Sequence, residues 1–514
     1  MARKKLYAAI DVGSHEIQMK IAELAKREPP KVIESIRRTL AIGTDTYTRG
    51  EISQPVLESC IEVLNGFIRD MDGYRIGEYR VLATSAFREA SNQLYAIDQI
   101  ARHCGLQVDI LSNSEERYYH MMSTWSLMQD FPELIKDGTL IVDISAGSIQ
   151  LTVYHKGEFI FSQNLLLGSL RIRELLADLE RRTANLPALM DEYISIDLST
   201  YHLHEPKGIV YKHLIITGHE LAYLSKLADL EEGEVAQITE KSFDKIYHLL
   251  LKNKPLDLAL DYDIPAEHAS LLLPVAIIMR KLISYTKAKN IYLPRISLAE
   301  GVLVEYACND KKYKLSHDSN QDLIAASRQL AKRFKTDKAH NEAVEQAVIQ
   351  LFDETARLHR LDNRYKLVLR VAAILRDCGK YVNISRHHDR SFNIILATEL
   401  IGLTAREQTI AAFIARYHGG NLELNDPEFA RLMPEDQLVI AKLTALLRLA
   451  DALDAGHQQK IRQMEFDFDR RKMVLIVTAD QDLTLELWNI DQKAALFEQV
   501  YGYTVEIKRR KQNL

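Results

Sequence analysis

Two aspartates in matching surroundings carry the first chemical signal. Asp11 closes the apolar run Leu6-Tyr7-Ala8-Ala9-Ile10 and is followed by Val12-Gly13-Ser14-His15. Asp143 closes Leu140-Ile141-Val142 and is followed by Ile144-Ser145-Ala146-Gly147-Ser148. Small residues after a strand let backbone N–H groups converge on an anion, and the aspartate can hold a cation beside it. The match extends further: Gln18-Met19 corresponds to Gln150-Leu151, and each copy leads into another strand pattern, Val32 to Ile36 and Phe159 to Asn164. Two strand-turn-strand units about one domain length apart imply a duplicated fold. Asp11 and Asp143 are then expected on facing walls of one cleft.

Two further segments add groups suited to phosphate chemistry. Tyr79 to Ala83 reads as a strand that turns at Thr84-Ser85 into a helix bearing Arg88, an anion site with a forked donor. Ser112-Asn113-Ser114-Glu115-Glu116-Arg117 opens another helix. Its serines suit capping and its glutamates the helix dipole, and a carboxylate there can orient water.

The elements that must position these groups follow from periodicity. Residues 6–39 read as three strands, and Val56, Cys60, Val63, Leu64 and Phe67 lie at helical spacing. Leu214 to Thr217 and Ile291 to Pro294 read as strands, and Leu298 opens a helix that would close the second copy. Asn309 to Gln321 is polar and reads as a linker. Beyond it the pattern turns helical, and from about Ile461 the period becomes two: Met464, Phe466, Phe468; Met473, Leu475, Val477; Leu483, Leu485, Leu487. The end, Lys508-Arg509-Arg510-Lys511, reads as a solvated tail. The expectation is a multidomain α/β chain: 1–130 and 131–308 as two α/β domains, 322–457 as a helical domain, 461–514 as a small α+β domain.

A chain of 514 residues is too long for one core. Its net charge of −5 argues against broad electrostatic binding of nucleic acid. Four cysteines without CxxC spacing give neither a zinc nor a disulfide framework and suit a reducing compartment. The N-terminal stretch lacks the pattern of a signal peptide, and no run of about 18 apolar residues is present, so no transmembrane helix is expected.

In their order these motifs resemble the exopolyphosphatase and guanosine pentaphosphate phosphohydrolase family, Ppx/GppA, within the actin-like ATPase superfamily. Asp11-Val12-Gly13-Ser14 resembles the first phosphate loop, Ala83-Thr84-Ser85-Ala86-Phe87-Arg88 through Asn92 the family's A-T-x-A-x-R-x-A-x-N, and Leu111-Ser112 to Glu116 its S-G-x-E-E. Asp143 to Ser148 resembles D-x-G-G-G-S, and Leu298 to Leu303 the terminal R-E-G segment. The resemblance implies two actin-like, ribonuclease H-like domains and release of terminal phosphate from polyphosphate or guanosine pentaphosphate in the cleft between them. It implies Glu116 as the catalytic carboxylate that activates water. It also implies phosphate contacts at Gly13, Ser14, His15, Arg88, Ser145, Ala146, Gly147 and Ser148, and metal at Asp11, Asp143 and Gln150. Mg²⁺ or Mn²⁺, polyphosphate or (p)ppGpp, a homodimer and a cytoplasmic location are implied with it; sequence-specific nucleic acid and membrane are not.

The chain departs from the family in ways that bear on turnover. Ser145 and Ala146 replace glycines, so a Cβ blocks the backbone there if positive φ is needed. Gln150 replaces a Glu and His15 an Asn; Asn113 replaces the glycine of S-G-x-E-E. The helical part resembles an HD-type domain whose H…HD…D ligands would be His340, Asp377 and Asp451, but Arg376 stands where the second histidine belongs, so no divalent metal is expected there. Arg386, His387, His388, Arg390 and His418 are read as lining an anion channel or as ordinary bundle histidines. Three functions compete: a phosphoanhydride hydrolase, a non-catalytic polyphosphate or (p)ppGpp sensor, and an actin-like ATPase or kinase. The last would need a glycine-rich adenosine pocket near Thr217-Gly218-His219-Glu220 and is ranked lowest.

Overall fold

The computed structural model describes residues 5–510 except 181, 184, 230–232, 312 and 421. They form two compact units, 1–318 and 319–514.

In the first unit, β1 (Lys5–Val12), β2 (Glu16–Leu24) and β3 (Lys31–Thr39) form an antiparallel meander, and β4 (Glu78–Ala83) and β5 (Val108–Ile110) extend it in parallel in the order β3-β2-β1-β4-β5. The second sheet repeats this plan. Strands β6 (Gly138–Ile144), β7 (Ile149–His155) and β8 (Glu158–Leu165) form the meander. Strands β9 (Tyr211–Thr217), β10 (Val235–Ile238) and β11 (Asn290–Pro294) complete the order β10-β11-β9-β6-β7-β8. Among the described residues β10, an antiparallel edge strand, has no counterpart in the first sheet. Register preserves the sequence repeat: Asp11 pairs across the ladder with Gln18, and Asp143 with Gln150.

Each sheet is covered by helices that apolar spacing dictates. Leu57, Cys60, Leu64, Phe67 and Met71 form the buried stripe of the helix Gln54–Tyr74, which ends at left-handed Arg75. The stretch 266–286 is long and apolar enough to cross a membrane, but 67% of its apolar window is buried in the unit. Val275, Ala276, Ile278, Met279 and Leu282 there belong to the core of the second sheet. The helix Leu298–Asp310, which the sequence suggested would close the second copy, instead packs against the first. Leu298, Ala299, Val302, Leu303 and Ala307 share a core with Tyr7, Ala9, Leu82 and Tyr119. Lys20 also reaches across to Glu300 at 2.6 Å. In the linker reading, Lys312 lies outside the described residues; helix resumes at Ser319.

The second unit is a helical bundle joined to a sheet ordered β12 (Ile461–Asp469), β13 (Lys472–Ala479), β14 (Thr504–Arg510). One core contains Val344, Leu369, Phe413 and Leu446 from the bundle together with Leu475, Val477 and Phe497. Two sequence expectations fail here. Leu483, Leu485 and Leu487 are not a strand: Thr484–Tyr501 is a helix, and Leu485 and Leu487 are exposed while Leu483 is buried. Three leucines at alternate positions satisfy a period of two by composition alone, too short a sample to exclude a helix start. The basic end is not a free tail either. Lys508, Arg509 and Arg510 are paired in β14, and Arg510 bridges to Glu465 at 2.6 Å, while Lys511 lies outside the described residues.

Because the bundle and the end sheet share a core, Phe497→Ala should destabilise the whole second unit. Its fully buried ring predicts a loss of about 3–5 kcal/mol. Urea unfolding followed separately by helix and sheet reporters should move as one transition; independent transitions would contradict the shared core.

Candidate active site

The two meanders meet at a cleft lined by Asp11, Gly13, Ser14, His15, Glu16, Arg37, Glu116, His120, Asp143, Ser145, Ala146, His219 and Glu220. The expected juxtaposition of Asp11 and Asp143 is present: each closes the central strand of its sheet and both line this cleft.

Asp143 is the most heavily engaged group. Thr217 Oγ1 donates to its Oδ1 at 2.7 Å and Ser145 Oγ to its Oδ2 at 2.6 Å. His120 Nδ1 lies 2.9 Å from the same Oδ2. Burial works against the charge of Asp143, but the His120 imidazolium and the two hydroxyls outweigh it and hold the carboxyl below its usual range. His120 answers in kind: burial opposes its proton, yet Asp143, with Glu116 and Asp11 nearby, lifts it to about 9. Asp11 is the opposite case. Burial raises its carboxyl to about 7, with the charges of Glu116 and Glu16 adding and His120 opposing, and its buried Oδ1 has no hydrogen-bond partner.

Glu116 sits in the first turn of the helix Asn113–Leu127, whose N-terminus is fixed by a capping box between Ser112 and Glu115. It is 3% exposed. Arg88 Nη1 donates to Glu116 Oε2 at 3.1 Å and to the Leu111 carbonyl at 2.6 Å. Arg88, expected to grip phosphate, is therefore engaged with the carboxylate and the strand end that present Glu116, and it is not among the residues lining the cleft.

The two turns are built alike. Gly13 N–H donates to the Glu16 carbonyl and Ser145 N–H to the Ser148 carbonyl, both at 3.0 Å, so these two amides close the turns. Neither Ser145 nor Ala146 adopts positive φ, so replacing the family's glycines strains nothing. Gly147 is the position where a side chain cannot fit: a Cβ would overlap the hydroxyls of Tyr47 and Ser85. Those hydroxyls form a triad with Ser14. Tyr47 Oη donates to Ser14 Oγ at 2.8 Å, and Ser14 and Ser85 Oγ are 2.8 Å apart. Arg171 closes the junction by donating to the Gly147 carbonyl and to both oxygens of Glu89, all at 2.6–2.7 Å, with its guanidinium 4.0 Å over the Tyr47 ring.

Beyond the turns lies a wall of neutral histidines. His15 and His268 meet edge to face at 4.8 Å, and His219 and His268 lie 4.9 Å apart. Burial first, then neighbouring cationic or histidine groups, lowers His15 to about 3 and His219 to about 2. Arg37 Nη1 lies 2.9 Å from His219 Nδ1, and Glu16 3.2 Å from His219 Nε2. His219 belongs to the segment Thr217-Gly218-His219-Glu220, where the ATPase reading would need glycines.

The structure thus gathers Asp11, Gly13, Ser14, His15, Glu116, Asp143, Ser145 and Ala146 at one cleft. Gln150 is not there. It lines a separate small cavity with Arg117, His120 and Asp143, and its Oε1 accepts from Arg117 Nε at 3.2 Å. Ser148 and Gly147 are also outside the cleft lining. Sequence reading missed His120, Thr217, Tyr47, Arg171 and Arg37. Only His120 had a local signal, one helical turn after Glu116 on the same face; the others arrive from distant strands and helices.

In the second unit His340 Nε2 lies 3.4 Å from Asp451 Oδ1, and Arg376 stands between Asp451 and Asp377, 3.8 Å from Asp377 Oδ2. His340 Nδ1 lies 2.8 Å from Asp454 Oδ2, a residue outside the expected HD-type set. Arg376 Nε donates to Asp451 Oδ1 at 2.9 Å, and Lys493 also holds Asp451.

Comparison with known proteins agrees with this architecture. The sequence profile of the Ppx/GppA phosphatase family matches residues 20–309, and that of Ppx/GppA phosphatase domain III matches residues 324–494. This chain belongs to the Ppx/GppA phosphatase family. A guanosine-5'-triphosphate,3'-diphosphate pyrophosphatase of Aeromonas hydrophila is 21% identical over 457 residues, 88% of either chain. A bifunctional 3-dehydroquinate synthase/phosphatase of Fusobacterium nucleatum is 26% identical over 175 residues, 33% of this chain and only 26% of that protein's length. The crystal structure of an exopolyphosphatase from Cytophaga hutchinsonii superposes with a TM-score of 0.51 at 18% identity, over 60% of this chain and 99% of that one. It shares the two-lobed actin-like fold.

The buried charges make stability depend on pH. Burial, with Glu16 and Asp143 adding to it against a backbone hydrogen bond, raises the Glu220 carboxyl to about 7. A carboxyl raised on folding favours the fold below its unfolded value, near 4.5, and loses that contribution as pH rises through 7. Glu220→Gln should therefore raise the melting temperature by a few degrees at pH 8 and by much less at pH 5. An equal shift at both values would contradict the assignment.

Proposed function

We propose that this protein is a phosphoanhydride hydrolase that releases terminal phosphate from inorganic polyphosphate or guanosine pentaphosphate in the cleft between the two sheets. The observation that carries the reading is Glu116. It is a buried carboxylate anchored by Arg88 in the lining of a cleft walled by two small-residue turns. A carboxylate so placed accepts the proton of an attacking water, while neighbouring positive charge and turn residues meet the oxygens of the transferring phosphoryl group. His120 supplies such a charge from within the chain. Ser14, fixed by Tyr47 and Ser85, sets the position of the first turn. Arg88 is a positioning residue.

The residues fit a hard divalent cation. Asp11 brings a buried carboxylate oxygen without a donor, whereas Asp143 already receives two hydroxyls and an imidazolium. Asp11 would hold Mg²⁺ or Mn²⁺, with Gln150 turned to Arg117 instead. Such an ion supplies charge neutralisation toward the phosphoanhydride.

A second reading, a polyphosphate or (p)ppGpp sensor without turnover, draws on the same cleft. His120 already sets a positive charge on Asp143, and Arg117 takes the oxygen of Gln150, so side chains satisfy groups that a catalytic cation would otherwise use. Phosphate release from each substrate with Mg²⁺ or Mn²⁺ separates the two readings. The hydrolase releases phosphate in a metal-dependent manner; the sensor binds the same anions and releases none.

Under the first reading, Glu116→Gln should lower kcat by roughly 10²-fold or more while polyphosphate binding persists. Unchanged kcat in the folded variant would remove Glu116 from the mechanism. Gln150→Glu should leave the metal dependence of turnover where it was, because the new carboxylate meets Arg117; a marked gain at limiting Mg²⁺ would place residue 150 at the ion after all.

A further inference from the structure

Three histidines of the second unit converge away from the cleft. His387 and His388 open the helix His387–Ala397, and His418 follows the helix Ala405–Tyr417. Each offers a ring nitrogen, and the three nitrogens lie within 4.8 Å of one another. The tautomers are set by the backbone. His418 Nδ1 lies 2.6 Å from the Ala415 carbonyl and His387 Nδ1 3.1 Å from the Ile384 carbonyl. A carbonyl only accepts, so both Nδ1 atoms carry hydrogen and both rings present Nε2 inward. These two Nε2 atoms face the same carboxylate oxygen, Asp377 Oδ1, at 3.4 and 3.8 Å.

That arrangement does not suit an anion, because Asp377 already occupies its place with negative charge. It suits a cation: imidazole lone pairs and a carboxylate turn toward one point, where Lys380 Nζ already brings positive charge to Asp377 Oδ1. The third ring, His388, is seated against Gly419, where a Cβ would overlap it. Its Nδ1 is buried without a hydrogen-bond partner. The surrounding charges are mixed. Lys380 Nζ lies 2.9 Å from Asp377 Oδ1 and is 40% exposed, while Arg376 Nη2 is 3.8 Å from Asp377 Oδ2. Arg376 is directed to Asp451 through its Nε, which removes Asp451 and His340 from the set.

We infer that His387, His388 and His418 form a binding site for a divalent transition metal, with Asp377 as the adjoining carboxylate that balances its charge. Three imidazole nitrogens favour zinc-like ions over Mg²⁺ or Ca²⁺. Modest side-chain closure would bring them to three corners of a tetrahedron with bonds of about 2.1 Å, leaving one position open.

The test uses the full chain stripped with chelator and reloaded with Zn²⁺ or Co²⁺, in an Asp11→Asn background that removes the cleft's cation ligand. The expected result is one tightly bound equivalent, with the visible bands of tetrahedral Co²⁺. It should be lost in His388→Ala and in His387→Ala, both partly exposed positions that tolerate truncation, and kept in His340→Ala. Circular dichroism of each variant distinguishes lost ligation from lost fold. Absence of a tight equivalent, or its loss in His340→Ala with retention in His388→Ala, would overturn the site.

Discussion

An ionised carboxylate at the end of a fully buried strand organises the N-terminal unit. Every residue of β6 is buried, so Asp143 could not keep its charge there without donors brought to it. Each partner comes from a different element: the Thr217 hydroxyl from the parallel neighbour β9, the Ser145 hydroxyl from the turn, and the His120 charge from a helix of the first lobe. Satisfying one side chain therefore fixes the register of two strands and draws the helix bearing Glu116 against the second sheet. His120 and Glu116 lie one turn apart on that helix, so the same constraint sets where the candidate general base stands.

Against this satisfied aspartate, its partner in the repeat is left exposed to its own burial. Asp11 has the same strand position but lacks the matching donors, and its carboxyl is pushed up to about 7. Duplication has yielded two equivalent positions with opposite electrostatics: one carboxylate neutralised by the protein, one open to a cation from outside. On the proposed function, a cleft that takes a polyanion with a cation benefits from that division, since two unsatisfied buried carboxylates would repel both each other and the anion. The triad of Ser14, Ser85 and Tyr47, with Arg171 over it, holds the two turns at a fixed separation and requires glycine at 147 for contact.

The second unit shows the same economy applied elsewhere. The site that family resemblance suggested is closed by Arg376 and Lys493 on Asp451, while His387 and His418, which the sequence offers as anion-channel or ordinary bundle histidines, turn toward Asp377. Substitution at one ligand position shifts which neighbouring groups are left unbalanced. Which carboxylates of the bundle are neutralised is thus decided by where its arginines and lysines reach.

Much of this was legible in the chain itself. The repeated strand-turn-strand around Asp11 and Asp143, the capped helix carrying Glu116 and the shift from α/β to helical pattern depend on local spacing, which sequence states directly. The cleft residues of the turns followed, because they adjoin the strand ends that the repeat located. What sequence could not determine were the long-range partners. Arg88 looked like a phosphate ligand and holds Glu116; Gln150 looked like a metal ligand and meets Arg117; the helix from Leu298 packs on the lobe it was not expected to cover. The reason is common to all three. Periodicity fixes which face of an element is buried, but a polar side chain's role depends on which opposite charge the tertiary fold brings within about 3 Å of it, and that distance belongs to no local stretch of sequence.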